Sequence, residues 1–123
     1  MIMLLQVSKT QYFDNYCYHA QQTAEKAIKA LLVYFGVEPE FTHDISRLLK
    51  ELEKHIDIDD EIRIASRLTT YAIETRYPDD YYEINEDEYE EAVQIAKVCL
   101  DWVDYKIKFL EIKKNLDTKL QFK

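Results

Sequence analysis

Asp14 to Gly36 reads DNYCYHAQQTAEKAIKALLVYFG, and the spacing of its apolar residues decides the fold. Cys17, Ala20, Ala24, Ala27, Leu31 and Phe35 step by three and four, so one helical face carries all of them. The small alanines on that face let a neighbouring helix come close. Gly36 is placed to take the left-handed conformation that ends a helix, and Pro39 keeps it from resuming. The spacing predicts a long helix over about 14–35, with Met1 to Gln11 as a short separate helix leading into it.

The same period continues towards the C-terminus. Thr42-His43-Asp44 supplies side-chain acceptors for a second helix start, and Ile45, Leu48, Leu49, Leu52 and Ile56 form its stripe. Asp57 to Asp60 interrupts the pattern and offers new N-caps. Ile58, Ile62, Ala65, Leu68, Ala72 and Ile73 then form the next stripe. Pro78 disfavours helical geometry at the residue before it, so this helix is expected to stop near Arg76 or Tyr77. In the last helix Asn85 and Glu88 resemble a capping box, and the acids of Glu86 to Glu91 suit a helix N-terminus. Tyr89, Ala92, Val93, Ala96, Leu100, Val103, Ile107 and Leu110 are its expected apolar face. One glycine and two prolines in 123 residues leave few breakpoints, and strict alternation over a strand length is absent. The expected fold is all-α, an antiparallel up-and-down bundle of four to five helices. The bundle is expected over residues 1–110, with 111–123 a lysine-bearing C-terminal extension.

A chain of this size can bury about two-thirds of its open-chain surface, enough for one core without disulfides or metal. Cys17 and Cys99 fall among apolar helical neighbours and outside any CxxC, as reduced core residues of a cytoplasmic protein would. Met1 to Leu5 is too short for a signal segment, and no window holds eighteen uncharged apolar residues. No membrane association is expected.

The net charge of −8 is unevenly placed. Residues 106–123 hold six lysines and two acids, whereas eight acids and no base lie between Asp79 and Glu91. Nucleic acid is repelled by such a body, so any RNA contact would be local, at an arginine cluster or the lysine tail. The plainer reading of the tail is a solvated helix end.

Several chemistries are excluded by residue pattern. A single glycine cannot build a phosphate loop. His19, His43 and His55 are scattered, with no HExxH, no Cys/His ligand spacing and no ferritin-like ExxH. Neither a metal nor a cofactor is expected. Ser8, Ser46 and Ser66 sit on no nucleophile elbow. What remains is Thr75 to Tyr82, TRYPDDYY, on a connection between two helices. Arginine is a planar fork matched to phosphate, and tyrosine faces can stack on a base. A structural turn in which Arg76 pairs an acid is the alternative. Ten tyrosines exceed what one small core satisfies, which points to an interface for Tyr71, Tyr77, Tyr81, Tyr82 and Tyr89.

His19-Ala20-Gln21-Gln22, Glu25-Lys26 and Lys29-Ala30-Leu31-Leu32 together resemble the first signature of the HEPN family (higher eukaryotes and prokaryotes nucleotide-binding). Thr42-His43-Asp44 resembles its next helix start. Thr75-Arg76-Tyr77-Pro78-Asp79, preceded by Tyr71-Ala72, is the most specific match, and the whole covers about residues 4–105. The resemblance implies a bundle that commonly dimerises and is often partnered by a minimal nucleotidyltransferase in a toxin–antitoxin module. It also implies a nucleotide- or RNA-binding cleft, with Arg76, Tyr77, Asp79, Tyr81, Tyr82, Lys26 and His19 as ligand-binding candidates. Many HEPN toxins are metal-independent ribonucleases that use Arg-x(4–6)-His, where arginine steadies the phosphate and histidine moves a proton. This chain departs from that motif. Arg63, Arg67 and Arg76 have no histidine after them, and seven residues separate Arg47 from His55. Tyr81 or Tyr82 occupies the region of the expected histidine, and a phenol titrating near pH 10 is a poor base. Arg76 is the candidate catalytic residue if the chain is an enzyme. The alternatives to a binding module are an RNA endonuclease toxin and a structural adaptor without ligand. Off the signature's apolar face, Glu25 and Lys29 are expected as a surface i,i+4 pair, His43 and Asp44 as a cap, and His19 as partly buried.

Overall fold

The computed structural model describes residues 2–72 and 84–121. Four α-helices and one 3-10 helix make up the described chain: α1 Ile2–Tyr34, α2 Ile45–Leu52, α3 Asp60–Arg63, the 3-10 helix Ile64–Tyr71, and α4 Glu86–Gln121. The all-α expectation holds.

The expected break between Gln11 and Asp14 is not there, and α1 is one helix of 33 residues. No glycine or proline interrupts Ile2 to Tyr34. Asp14 and Asn15 would cap an isolated helix, but Phe13 stacks on Tyr89 and Tyr16 meets the same ring edge-on, which holds the turn against α4. At the other end Gly36 takes φ +76, and its N–H donates to the carbonyl of Val33. The Asp44 carboxylate caps α2 by accepting from Ser46 N–H at 3.0 Å. Asn85 does the same for α4, accepting from Glu88 N–H at 2.8 Å.

The third helical stretch ends earlier than its sequence suggests. A single α-turn passes into eight residues of 3-10 helix, and Ala72 is already extended (φ −68, ψ 139). The cause is local chemistry. Ser66 and Thr70 hydroxyls donate back to the carbonyls of Arg63 and Arg67, and such bonds compete with α-helical ones. A 3-10 helix eclipses positions three apart, which suits Ile62, Ala65 and Leu68, all buried. Ile73 and Thr75 to Tyr82 lie outside the described residues.

Neighbouring elements are fixed by a few contacts. Arg63 pairs with Glu53 at 3.1 Å, and Ile45 N–H donates to the Thr69 hydroxyl at 3.1 Å, so α2 and the 3-10 helix run antiparallel. Arg67–Glu91 and Tyr71–Glu88 contacts make the 3-10 helix antiparallel to α4 as well. Phe13 lies against Tyr89, and burial with the Glu111 charge beside Tyr34 pushes its phenol pKa up, so α1 and α4 lie side by side in the same sense. Residues 35–44 make this possible by returning the chain along α1 before α2 begins. Small buried residues on both long helices, Ala20, Ala24 and Ala27 with Ala92 and Ala96, suit close packing.

On α4 the buried row is Ala92, Ala96, Cys99 and Val103, flanked by Trp102. Val93 and Leu100, expected inside, are exposed at 39% and 45%. Ala92, Ala96 and Val103 are buried as expected, and Cys99, expected in the core, takes the place in the row that Leu100 was given. Both cysteines are buried and free. Burial alone pushes the Cys99 thiol up to about 12, which keeps it protonated and unreactive. The Trp102 indole N–H has no hydrogen-bond partner among the described residues.

Gly36→Ala is expected to cost about 1 kcal/mol in urea unfolding, from its left-handed backbone alone. A Cβ there meets nothing within 4 Å, so Gly36→Asn, which tolerates that conformation, should lose less.

Candidate functional site

Two polar side chains lie in the core of the described residues, Gln21 and Glu25, with Glu25 only 3% exposed. They follow from a second row on α1. Gln21, Glu25, Ile28 and Leu32 step by four, three and four beside the alanine row, and all four are buried. A carboxylate in such a place must be hydrogen-bonded. Glu25 Oε1 accepts from Gln21 Nε2 at 2.9 Å and from His43 Nδ1 at 2.6 Å. Its Oε2 accepts from Lys29 Nζ at 3.0 Å. Gln21 Nε2 also reaches the His43 carbonyl at 3.3 Å, and Gln22 Nε2 donates to Gln21 Oε1 at 2.8 Å. Burial works against ionisation of Glu25, but the hydrogen bonds from Gln21, His43 and Lys29, with the charge of Lys29, outweigh it and hold the carboxyl below its ordinary 4.5.

This corrects two expectations. Glu25 and Lys29 are not a solvated surface pair, because the carboxylate points inward to the segment that returns along α1. Asp44 is a cap as expected, but His43 is a tie: it brings the start of α2 onto α1. The sequence signal was available in the continuation of Gln21 and Glu25 into Ile28 and Leu32.

His19 and Lys26 lie seven residues apart, so they share one face of α1 about two turns apart. Both are exposed. His19 was expected partly buried; its ring instead stands at the surface, 5.7 Å from that of Tyr18. Lys26 makes no ion pair among the described residues. The structure therefore brings these two candidates onto one solvent face.

Arg76, Tyr77, Asp79, Tyr81 and Tyr82 lie outside the described residues. The two ends of their connection are within them. Ala72 is fully buried and Ile84 is 2% exposed, so both ends are anchored in the core. Around those anchors stand Tyr71, Glu88, Tyr89, Phe13 and Tyr16. His19 lies one turn along α1 from Tyr16.

The other arginines have acidic partners. Arg47 pairs with Glu40, Arg63 with Glu53, and Arg67 with Glu91. Arg47 and His55 also face different neighbours, since His55 stacks on Phe35. A shallow groove of about 320 Å³ between α2 and the 3-10 helix is lined by Ser46, Lys50, Glu53, Arg63 and Ser66. Its arginine is engaged by Glu53 across the opening. Among the described residues no group of three His, Cys, Asp or Glu side chains is arranged to hold a metal, and no helix is long and apolar enough to cross a membrane.

The HEPN domain family model matches residues 5–110. The chain belongs to the HEPN family. It is thereby a nucleotide- and RNA-related module in the general sense of that family. No curated protein and no solved structure compared with it gives a match. In this HEPN chain, the polar half of the first signature divides by depth. Gln21 and Glu25 hold the bundle together, while His19 and Lys26 face solvent.

Glu25→Ala is expected to destabilise the fold by about 2–3 kcal/mol, because it leaves the buried Gln21 amide and the His43 ring without their acceptor. Ionised Glu25 contributes stability at pH values above its ordinary 4.5, and that contribution disappears as pH falls through the lower folded value. Urea unfolding across that range should show wild type weakening more steeply in acid than Glu25→Gln.

Proposed function

We propose that this HEPN chain is a binding module which forms a homodimer, partners a minimal nucleotidyltransferase in a toxin–antitoxin arrangement, and holds a nucleotide or RNA phosphate at a cleft centred on Arg76. The observation that carries the reading is the family match over residues 5–110, on a chain whose TRYPD stretch joins two core-anchored ends. A guanidinium on such a connection can present its fork to a phosphate with little ordering cost in the flanking chain. Tyr77, Tyr81 and Tyr82 would supply stacking faces, and Asp79 an acceptor for base or sugar hydroxyls. His19 supports the reading as an exposed group on α1 one turn from Tyr16, and Lys26 extends the same solvent face about two turns further along. Function would be in the cytoplasm, with no cofactor.

The second reading is a metal-independent RNA endonuclease. It is favoured by Arg76 itself, and opposed by the absence of any histidine in the Arg-x(4–6)-His window. The third is an adaptor whose TRYPD turn only shapes a dimer.

A mixed RNA pool incubated in EDTA separates them. The binding module should leave the RNA intact and retain it on a filter, with at least a tenfold loss of retention in Arg76→Ala. Cleavage by wild type and none by Arg76→Ala would overturn the binding reading in favour of the nuclease. Neither cleavage nor retention of RNA or nucleotide would leave the adaptor.

A further inference from the structure

Beyond Glu111, α4 continues to Gln121 with every described side chain exposed. Tyr34, at the end of α1, is already level with Glu111. The last ten residues of α4 therefore project past the end of the long helix they pack on. They are not uniformly polar. Tyr105, Phe109, Ile112, Leu116 and Leu120 are exposed by between 52% and 67%. They form one ridge on the helix, whose upper end continues into the partly buried Val98 and the buried Trp102. From Val98 to Leu116 the steps are four, three, four, three and four, the narrow seam of a coiled coil.

Charge is ordered around that seam. At 3.6 residues per turn, Lys106 and Lys113 border one side, and Lys108 and Lys119 the other. Of these only Lys108 has an acidic partner, Asp104 at 2.9 Å, among the described residues. Glu111 falls on the far side of the helix, and Asp117 lies at the outer margin of the Lys106 and Lys113 edge. Two copies of the seam cannot pair well in either direction, since lysines would meet lysines along both edges.

We infer that the seam from Tyr105 to Leu120 is a docking surface for an amphipathic helix of another protein, one with apolar residues at heptad spacing and Glu or Asp on both flanks. A membrane surface fits less well. Interfacial helices present a broad apolar arc, and an extended anionic surface would also meet the acidic body of residues 1–105. RNA fits less well for the same electrostatic reason, and because the projecting part of the seam, Ile112, Leu116 and Leu120, unlike Tyr105 and Phe109, offers bases nothing to stack on. A short helix can lie along the projecting segment alone. The inference is independent of the Arg76 cleft.

The test uses the full chain and two labelled helical peptides, each with Leu and Ile at the heptad core positions, one with Glu and the other with Lys on both flanks. The Glu-flanked peptide is expected to bind, at least tenfold more tightly than the Lys-flanked one, and to weaken as salt is raised. Ile112→Ser with Leu116→Ser, both exposed and so harmless to the fold, should reduce binding at least tenfold. Lys106→Glu with Lys113→Glu should reverse the preference between the peptides. Equal binding of both peptides would overturn the inference, as would failure of the charge reversal to change the preference. Self-association of the chain that is abolished by Ile112→Ser with Leu116→Ser would assign the seam to a second copy instead. Flotation with anionic phosphatidylserine vesicles, lost in that same variant, would assign it to lipid.

Discussion

A single carboxylate inside the bundle sets how the chain turns back on itself. Glu25 sits in a buried row on α1 with Gln21, Ile28 and Leu32, and an ionised group there is tolerated only with several donors. Those donors come from both sides of the first turn: Gln21 and Lys29 from its own helix, His43 from the segment that returns along it. Satisfying Glu25 therefore places Thr42 to Asp44 beside the middle of α1, not at its end. From there Asp44 caps α2, and Ile45 meets Thr69 of the 3-10 helix. The order of the remaining elements follows from that position.

The need for donors also accounts for the polar residues by which the first signature is recognised. Gln21 and Glu25 look like surface chemistry in a one-dimensional reading, because glutamine and glutamate are usually exposed. Their neighbours at the same helical angle, Ile28 and Leu32, show otherwise. Periodicity was thus sufficient for the alanine row, for the α2 stripe and for the caps at Asp44 and Asn85. It was insufficient where two adjacent rows are both buried, as on α1. On α4 it found Ala92, Ala96 and Val103 but also placed Val93 and Leu100 inside, and both face out. The end of the third helix was missed for a different reason. Hydroxyl side chains at Ser66 and Thr70 rewind the backbone locally, and hydrophobic spacing does not register that.

The candidate site was legible only as motif. TRYPD stands out by its residue types and by its place between two helical stripes, and its two ends prove to be buried anchors at Ala72 and Ile84. Sequence alone could not have sorted the arginines. Arg47, Arg63 and Arg67 find acidic partners through tertiary proximity to Glu40, Glu53 and Glu91. Nor could it have sorted His19 from His43, one at the surface and one tied to Glu25.

The 3-10 winding of Ile64 to Tyr71 has a geometric consequence for reach. Each residue of such a helix advances about 2.0 Å, against about 1.5 Å in an α-helix. Eight residues therefore cover about the distance that ten or eleven would cover as α-helix. The chain arrives beside Glu88 and Tyr89 with two or three residues in hand that an ordinary helix would have consumed. The eleven residues 73–83 are therefore all left to join Ala72 to Ile84.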